Sequence, residues 1–123
     1  MKPSINRLKH LVRPRIYIGK AINIGPGKID LLREVDAMRS ISAAARSLGL
    51  PYKRAWLLID TLNRGFGNPV IETAAGGKGG GGAVLTPLGR QLIERYDALE
   101  ARINKSADKE LQALCNLAGK SSD

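Results

Sequence analysis

The chain has one cysteine, Cys115, one histidine, His10, one tryptophan and one phenylalanine among 123 residues. A lone cysteine excludes an internal disulfide and a cysteine cluster for metal, and places the expected home of the chain in a reducing compartment. A lone histidine excludes a His-based metal site or catalytic triad. No apolar run approaches the ~20 residues of a membrane-spanning helix. The basic start MKPSINRLKHLVRPR lacks the apolar core and small-residue cleavage site of a secretion signal. Acidic residues are also scarce, with 11 Asp and Glu against 20 Lys and Arg. The expectation is a cytoplasmic protein that is not an enzyme, with no catalytic residues, no metal, no cofactor and no membrane partner.

What is present is positive charge, unevenly placed. The net charge is +9 and the pI about 10.1. Residues 1–86 hold 14 Lys and Arg against 5 Asp and Glu, while residues 87–123 hold 6 of each. Such a field attracts a polyanion, and nucleic acid is the commonest. The length suits one domain with its own core.

The charge surrounds a helix-turn-helix pattern. Ser40 can cap a helix by accepting from an amide at its start. Ala43, Ala44 and Ala45 favour helix and allow close approach of a neighbour. Leu48 closes the apolar face, and Gly49 suits a left-handed helix end. Pro51 then fits the first turn of a second helix, expected to run from Pro51 or Tyr52 to about Arg64. Ala55, Ile59 and Leu62 recur at helical spacing and face inward, whereas Tyr52, Lys53, Arg54 and Leu57 lie off that face. A short helix, a glycine corner and a second helix with a basic outer face fit a DNA reader whose second helix, residues 51–64, enters the major groove.

Around this core the elements follow in order. Residues 1–14 read as a basic arm, expected to be disordered. Ile16, Ile18, Ile22 and Ile24 share one parity, the period of a half-buried strand, with Gly19-Lys20 able to bend it into a hairpin. Gly25-Pro26-Gly27 reads as a turn before a helix over Lys28–Arg39, with Ile29, Leu32, Val35 and Met38 as its apolar stripe. GPGK is not a phosphate-binding P-loop, because Ile29 stands where Ser or Thr must ligate magnesium.

Gly65, Gly67 and Pro69 are expected to end the second helix of the motif. Two β-rich runs, Val70–Thr73 and Ala83–Thr86, then flank AAGGKGGGG, with six glycines and Lys78. Strands around a glycine tip make a hairpin. Placed directly after a recognition helix, over residues 70–86, it reads as a wing lying on DNA backbone or minor groove. Thr86-Pro87 opens the last helix, where Leu88, Leu92, Tyr96, Leu99 and Ile103 share one face. That surplus face, continued weakly through Leu111 and Leu114 after a break near Asn104–Ser106, argues for a partner helix from a second copy. The fold class expected is therefore mainly α with a small β wing. A winged helix-turn-helix occupies residues 15–86, a dimerisation helix region 87–118, and a flexible tail 119–123.

Four stretches carry a resemblance: SISAAARSLGL (40–50), YKRAW (52–56), GGKGGGGAVLT (76–86) and GRQLIERYDAL (89–99). In this order they resemble the amino-terminal DNA-binding domain of the ModE molybdate-responsive transcription regulators, itself similar to the LysR-type winged helix. The resemblance covers about residues 15–103. It implies a homodimer held by the terminal helices, with two recognition helices on a two-fold site in double-stranded DNA. By position, Tyr52, Lys53, Arg54 and Trp56 fall in the reading part and Lys78 in the wing. Pro51 stands where related sequences usually have a capping serine. The sequence is expected to lack the molybdate-binding domains of the full-length regulators.

The site residues expected are thus Ser42, Tyr52, Lys53, Arg54, Trp56 and Lys78 for DNA, and Leu92, Tyr96, Leu99 and Ile103 for dimerisation. Arg54 and Lys53 suit base edges or phosphates, and Tyr52 and Ser42 suit phosphates that fix register. Trp56 is open between DNA contact and packing beneath the wing, with packing favoured. The alternatives are a sensor-less interaction partner of a full-length regulator, or a non-specific architectural nucleic-acid binder. A molybdate or other oxyanion effector is left open, since no residue set points to one.

Overall fold

The computed structural model describes residues 11–74 and 82–118. Among these residues, two antiparallel two-stranded sheets and five helices follow in chain order. They are β1 (Ile16–Ile18), β2 (Ile22–Ile24), α1 (Pro26–Met38), α2 (Ile41–Ser47), α3 (Tyr52–Phe66), β3 (Ile71–Thr73), β4 (Ala83–Leu85), α4 (Pro87–Ser106) and α5 (Asp108–Leu117). The fold is mainly α with a small β wing, of the winged-helix type.

The chain forms two compact units, whose boundary falls within α4. The larger is Pro14–Tyr96. Its centre is α1, which packs on α2, on α3 and on β4. Ile29, Leu32 and Val35 are buried as their spacing requires, but the fourth expected member, Met38, is 42% exposed. Leu31 is buried in addition. The apolar arc of α1 is wider than one stripe because neighbours cover it on several sides. The helix also starts two residues before the expected Lys28. Pro26 occupies its first turn, where a fixed φ and a missing N–H cost nothing, and Gly25 is the N-cap.

The two-helix motif forms as its local chemistry dictates. Ser40 Oγ accepts from the Ala43 amide at 3.0 Å, which caps α2. At the other end Gly49 adopts φ +70°, the left-handed region that glycine enters without steric cost. Gly49 N–H then reaches Arg46 O at 3.1 Å and Leu50 N–H reaches Ala45 O at 2.8 Å. These paired bonds satisfy two carbonyls that the helix end leaves open. Pro51 is the N-cap of α3 rather than part of its first turn, and it supplies no side-chain cap.

Helix α3 does not stop at Gly65 but runs to Phe66, with Gly67 as its C-cap. Gly65 serves packing instead. A Cβ there would sit 2.9 Å from Ala21 O, so its absence lets α3 lie against the β1–β2 turn. That turn joins a short ladder in which Ile16 pairs with Ile24 and Ile18 with Ile22. The expected half-buried strand is only partly so: Ile24 is buried, Ile16 and Ile22 are half-buried, and Ile18 is exposed at the hairpin's end.

The β3–β4 ladder pairs Ile71 with Leu85, Glu72 with Val84 and Thr73 with Ala83. Residues 75–81, including Lys78, lie outside the described residues. Thr86 closes the hairpin and opens α4. Its hydroxyl donates to Pro69 O at 2.9 Å and accepts from Gly89 N–H at 3.1 Å. The core of this unit closes with Leu92 and with Tyr96, whose hydroxyl donates to Pro14 O at 2.7 Å.

The smaller unit comprises, among described residues, Leu11–Arg13 and Asp97–Ala118. Here α4 ends at Ser106, and the break falls at Ala107. The basic arm expected to be disordered is in part held down. Val12 N–H donates to Asn104 Oδ1 at 2.7 Å, and Asn104 Nδ2 donates back to Val12 O at 2.9 Å. Arg13 lies 3.5 Å from Glu100. Residues 1–10 lie outside the described residues.

Candidate nucleic-acid interface

Helix α3 has two unlike faces. Ala55, Ile59 and Leu62 are buried in the core. One turn away, Tyr52, Lys53, Arg54 and Leu57 are exposed. This is the division that the spacing predicts, and it leaves the outer side of the amino-terminal two turns of α3 exposed. Trp56 belongs to the outer face. It is 36% exposed and stands edge-on to Tyr52, four residues earlier, with ring centroids 6.5 Å apart. The helical phase that buries Ala55 turns Trp56 to the side of Tyr52 and away from the buried triplet. With Pro51, Lys53, Arg54, Leu57 and Asp60 it lines a shallow, mostly apolar groove. Asp60 is engaged along the helix by Arg64 at 3.0 Å.

Ser42 is exposed in the first turn of α2, its hydroxyl 3.3 Å from that of Ser40. Of the six residues expected to meet DNA, five are thus described and exposed, four of them together on α3. Lys78, the sixth, lies outside the described residues.

Of the four residues expected to pair two copies, Leu92 and Tyr96 are buried in the core of their own chain. Their apolar surface is already covered within the chain. Leu99 is 38% exposed and Ile103 half-buried. In α5 no residue is buried, and Leu114 and Leu117 are exposed.

A second feature joins the outer face and was not legible as a motif. Arg15, Lys28 and Arg54, far apart in sequence, line one cleft with Asn23, Gly27 and Asp30 among its walls. Lys28 Nζ donates to Asn23 O at 2.7 Å, and Arg15 Nη1 to Asn23 Oδ1 at 3.4 Å. Burial, and then the like charge of Arg15, hold the Lys28 ammonium below the usual lysine value. The only sequence signal for this cleft was the excess of positive charge before residue 87.

Among the described residues no group of acidic, histidine or cysteine side chains could hold a metal ion, and no helix is long and apolar enough to cross a membrane.

No model of a protein family matches the chain. Individual proteins do. Over 82 residues, 67% of this chain, it is 48% identical to the molybdenum-pterin-binding protein MopB of Rhodobacter capsulatus, covering 30% of that protein. The same length is 45% identical to the DNA-binding transcriptional dual regulator ModE of Escherichia coli K12, covering 31% of it. Over 92 residues it is 37% identical to the molybdenum transport protein ModE of Azotobacter vinelandii, covering 34% of it. The chain thus spans about a third of the length of the curated relatives it matches. Over that shared region the chain is a homologue of the ModE and Mop proteins.

Proposed function

We propose that this chain is a transcription regulator that reads double-stranded DNA sequence with α3. The observation that carries the reading is the division of that helix: Ala55, Ile59 and Leu62 anchor it while Tyr52, Lys53, Arg54, Trp56 and Leu57 stand exposed together. A helix held rigidly by one face and offering arginine, lysine and aromatic side chains on the other has the form that fits a major groove. Arginine pairs well with guanine there, and apolar groups meet thymine methyls. Ser42 and Tyr52 would hold phosphates and set register. The hairpin that follows would lie as a wing on backbone or minor groove, with Lys78 adding charge.

The homology to a protein named as a DNA-binding transcriptional regulator supports this reading. The function is binding rather than catalysis. The active form is a homodimer, paired through the end of α4 and through α5, where Leu99, Ile103, Leu111 and Leu114 are not buried within the chain.

Selection of binding sites from random duplex DNA, at near-physiological salt where loose phosphate binding is weak, tests the reading. An inverted repeat with half-sites about one helical turn apart is the expected result. Binding without any recovered motif would contradict sequence reading by α3.

A further inference from the structure

The cleft between the β1–β2 hairpin, the start of α1 and the side of α3 holds three cations: Arg15, Lys28 and Arg54. Among the described residues none of the three forms an ion pair. The carboxylate on its wall, Asp30, lies 3.9 Å from Arg33, a cation outside the cleft. Arg15, though exposed, leans on this wall. Its guanidinium lies against the backbone of Gly25, where a Cβ would come within 2.7 Å of Nη1. Asn23 accepts from both Arg15 and Lys28 and so gathers two like charges at one point. The first turn of α1 adds to this field. Its N-cap Gly25 offers no side-chain cap, and the Gly27 and Lys28 amides precede the first bond of the helix, from Ile29 to Gly25.

Gathering three cations around one carboxylate, itself close to Arg33, leaves excess positive charge that an anion would offset. We propose that the cleft is a subsite for one tetrahedral oxyanion, held by Arg15, Lys28 and Arg54 beside the uncapped start of α1. Three spread donors and two free amides match the several oxygens of a phosphate group better than the planar pair of a carboxylate. Two sources share this chemistry: a backbone phosphate of the DNA that α3 enters, and a free oxyanion. The first rests on the function proposed above; the second does not. The lowered Lys28 pKa fits either, because a bound anion favours the charged form that burial and Arg15 disfavour.

The test has two arms. Inorganic phosphate is titrated into the purified chain while the Gly27 and Lys28 amide resonances and the Lys28 side-chain titration are followed. Saturable shifts, with the Lys28 titration moving to higher pH, are expected. Lys28→Gln and Arg15→Gln should weaken the response about tenfold or more, while Arg95→Gln, an exposed cation on α4, should not. In the second arm, the salt dependence of duplex DNA binding is measured for the same variants.

A slope smaller by about 0.9 for Lys28→Gln but not for Arg95→Gln identifies a DNA phosphate as the occupant. An unchanged slope, where the unsubstituted chain binds phosphate and Lys28→Gln weakens that binding, identifies a free oxyanion. The proposal is overturned by phosphate shifts that Lys28→Gln and Arg15→Gln leave intact. It is equally overturned by slope changes equal in all three variants, or by no phosphate response together with no slope change. Failure of the chain to bind any DNA would sink the DNA-reading function and leave the phosphate arm standing.

Discussion

Helices α3 and α5 are both amphipathic, and they are stabilised in opposite ways. Helix α3 buries Ala55, Ile59 and Leu62 in a shared core, while α5 buries nothing, and its Leu117 is 83% exposed. Their charges are opposed as well. Helix α5 opens with Asp108 and Glu110 and no basic residue in its last turn. Acidic groups at a helix start interact favourably with its dipole. Helix α3 opens with Lys53 and Arg54 and has no acidic residue in its first turn, so its charge opposes its own dipole. A helix that draws its stability from a core can carry charge where that charge is locally unfavourable. Positive side chains on the positive end of a helix make sense for a surface that meets an anion. A helix without a core depends on its local charges and on whatever covers its leucines.

Substitutions in the two helices test this contrast. The largest effect belongs to the buried face of α3. Ile59→Ala should lower stability by about 2–5 kcal/mol, read as a shift of the denaturant midpoint, because the cavity cannot close among α1, α2 and α3. A loss below about 1 kcal/mol would mean that the core under α3 is looser than its burial indicates. Reversing the charge at the start of α3 is the sharper experiment, since its two outcomes have opposite signs. Lys53→Glu should raise stability by about 0.3–1 kcal/mol and at the same time weaken DNA binding. Loss of both together would contradict the separation of folding and binding on that helix. The smallest effect is expected in α5. Leu117→Ala should change stability by less than about 0.5 kcal/mol in dilute protein. A larger, concentration-dependent loss would show that the exposed leucines are covered by a second copy.

How much of this was legible in the sequence follows from the same physics. The Ser40 cap, the Gly49 corner and the inward triplet of α3 are local, and each depends on a few neighbouring residues. They are read directly from residue type and spacing. Met38 and Leu31 could not be sorted that way, because α1 is covered on several sides and one helical stripe does not describe its buried arc. Gly65 looked like a helix breaker. Its modest cost inside a helix is outweighed by the close approach of Ala21 that it permits. Trp56 was open between packing and DNA contact, and its position one residue after Ala55 places it on the side of Tyr52. Leu92 and Tyr96 share a face with Leu99 and Ile103 in the sequence pattern. Only the packing shows that the first two belong to the core of the chain itself. The cleft of Arg15, Lys28 and Arg54 joins residues that no linear motif connects, and the sequence showed it only as charge.

The central claim is that the outer face of α3 reads bases and does not merely hold phosphates. The most direct test measures Arg54→Ala against a selected binding site and against the same duplex with single base pairs replaced. Base reading predicts a loss of about 1–3 kcal/mol on the selected site, with preference relaxed at one base position in each half-site. Equal losses on every duplex, with the original preferences intact, would show that Arg54 serves only the backbone and would contradict base reading by that residue.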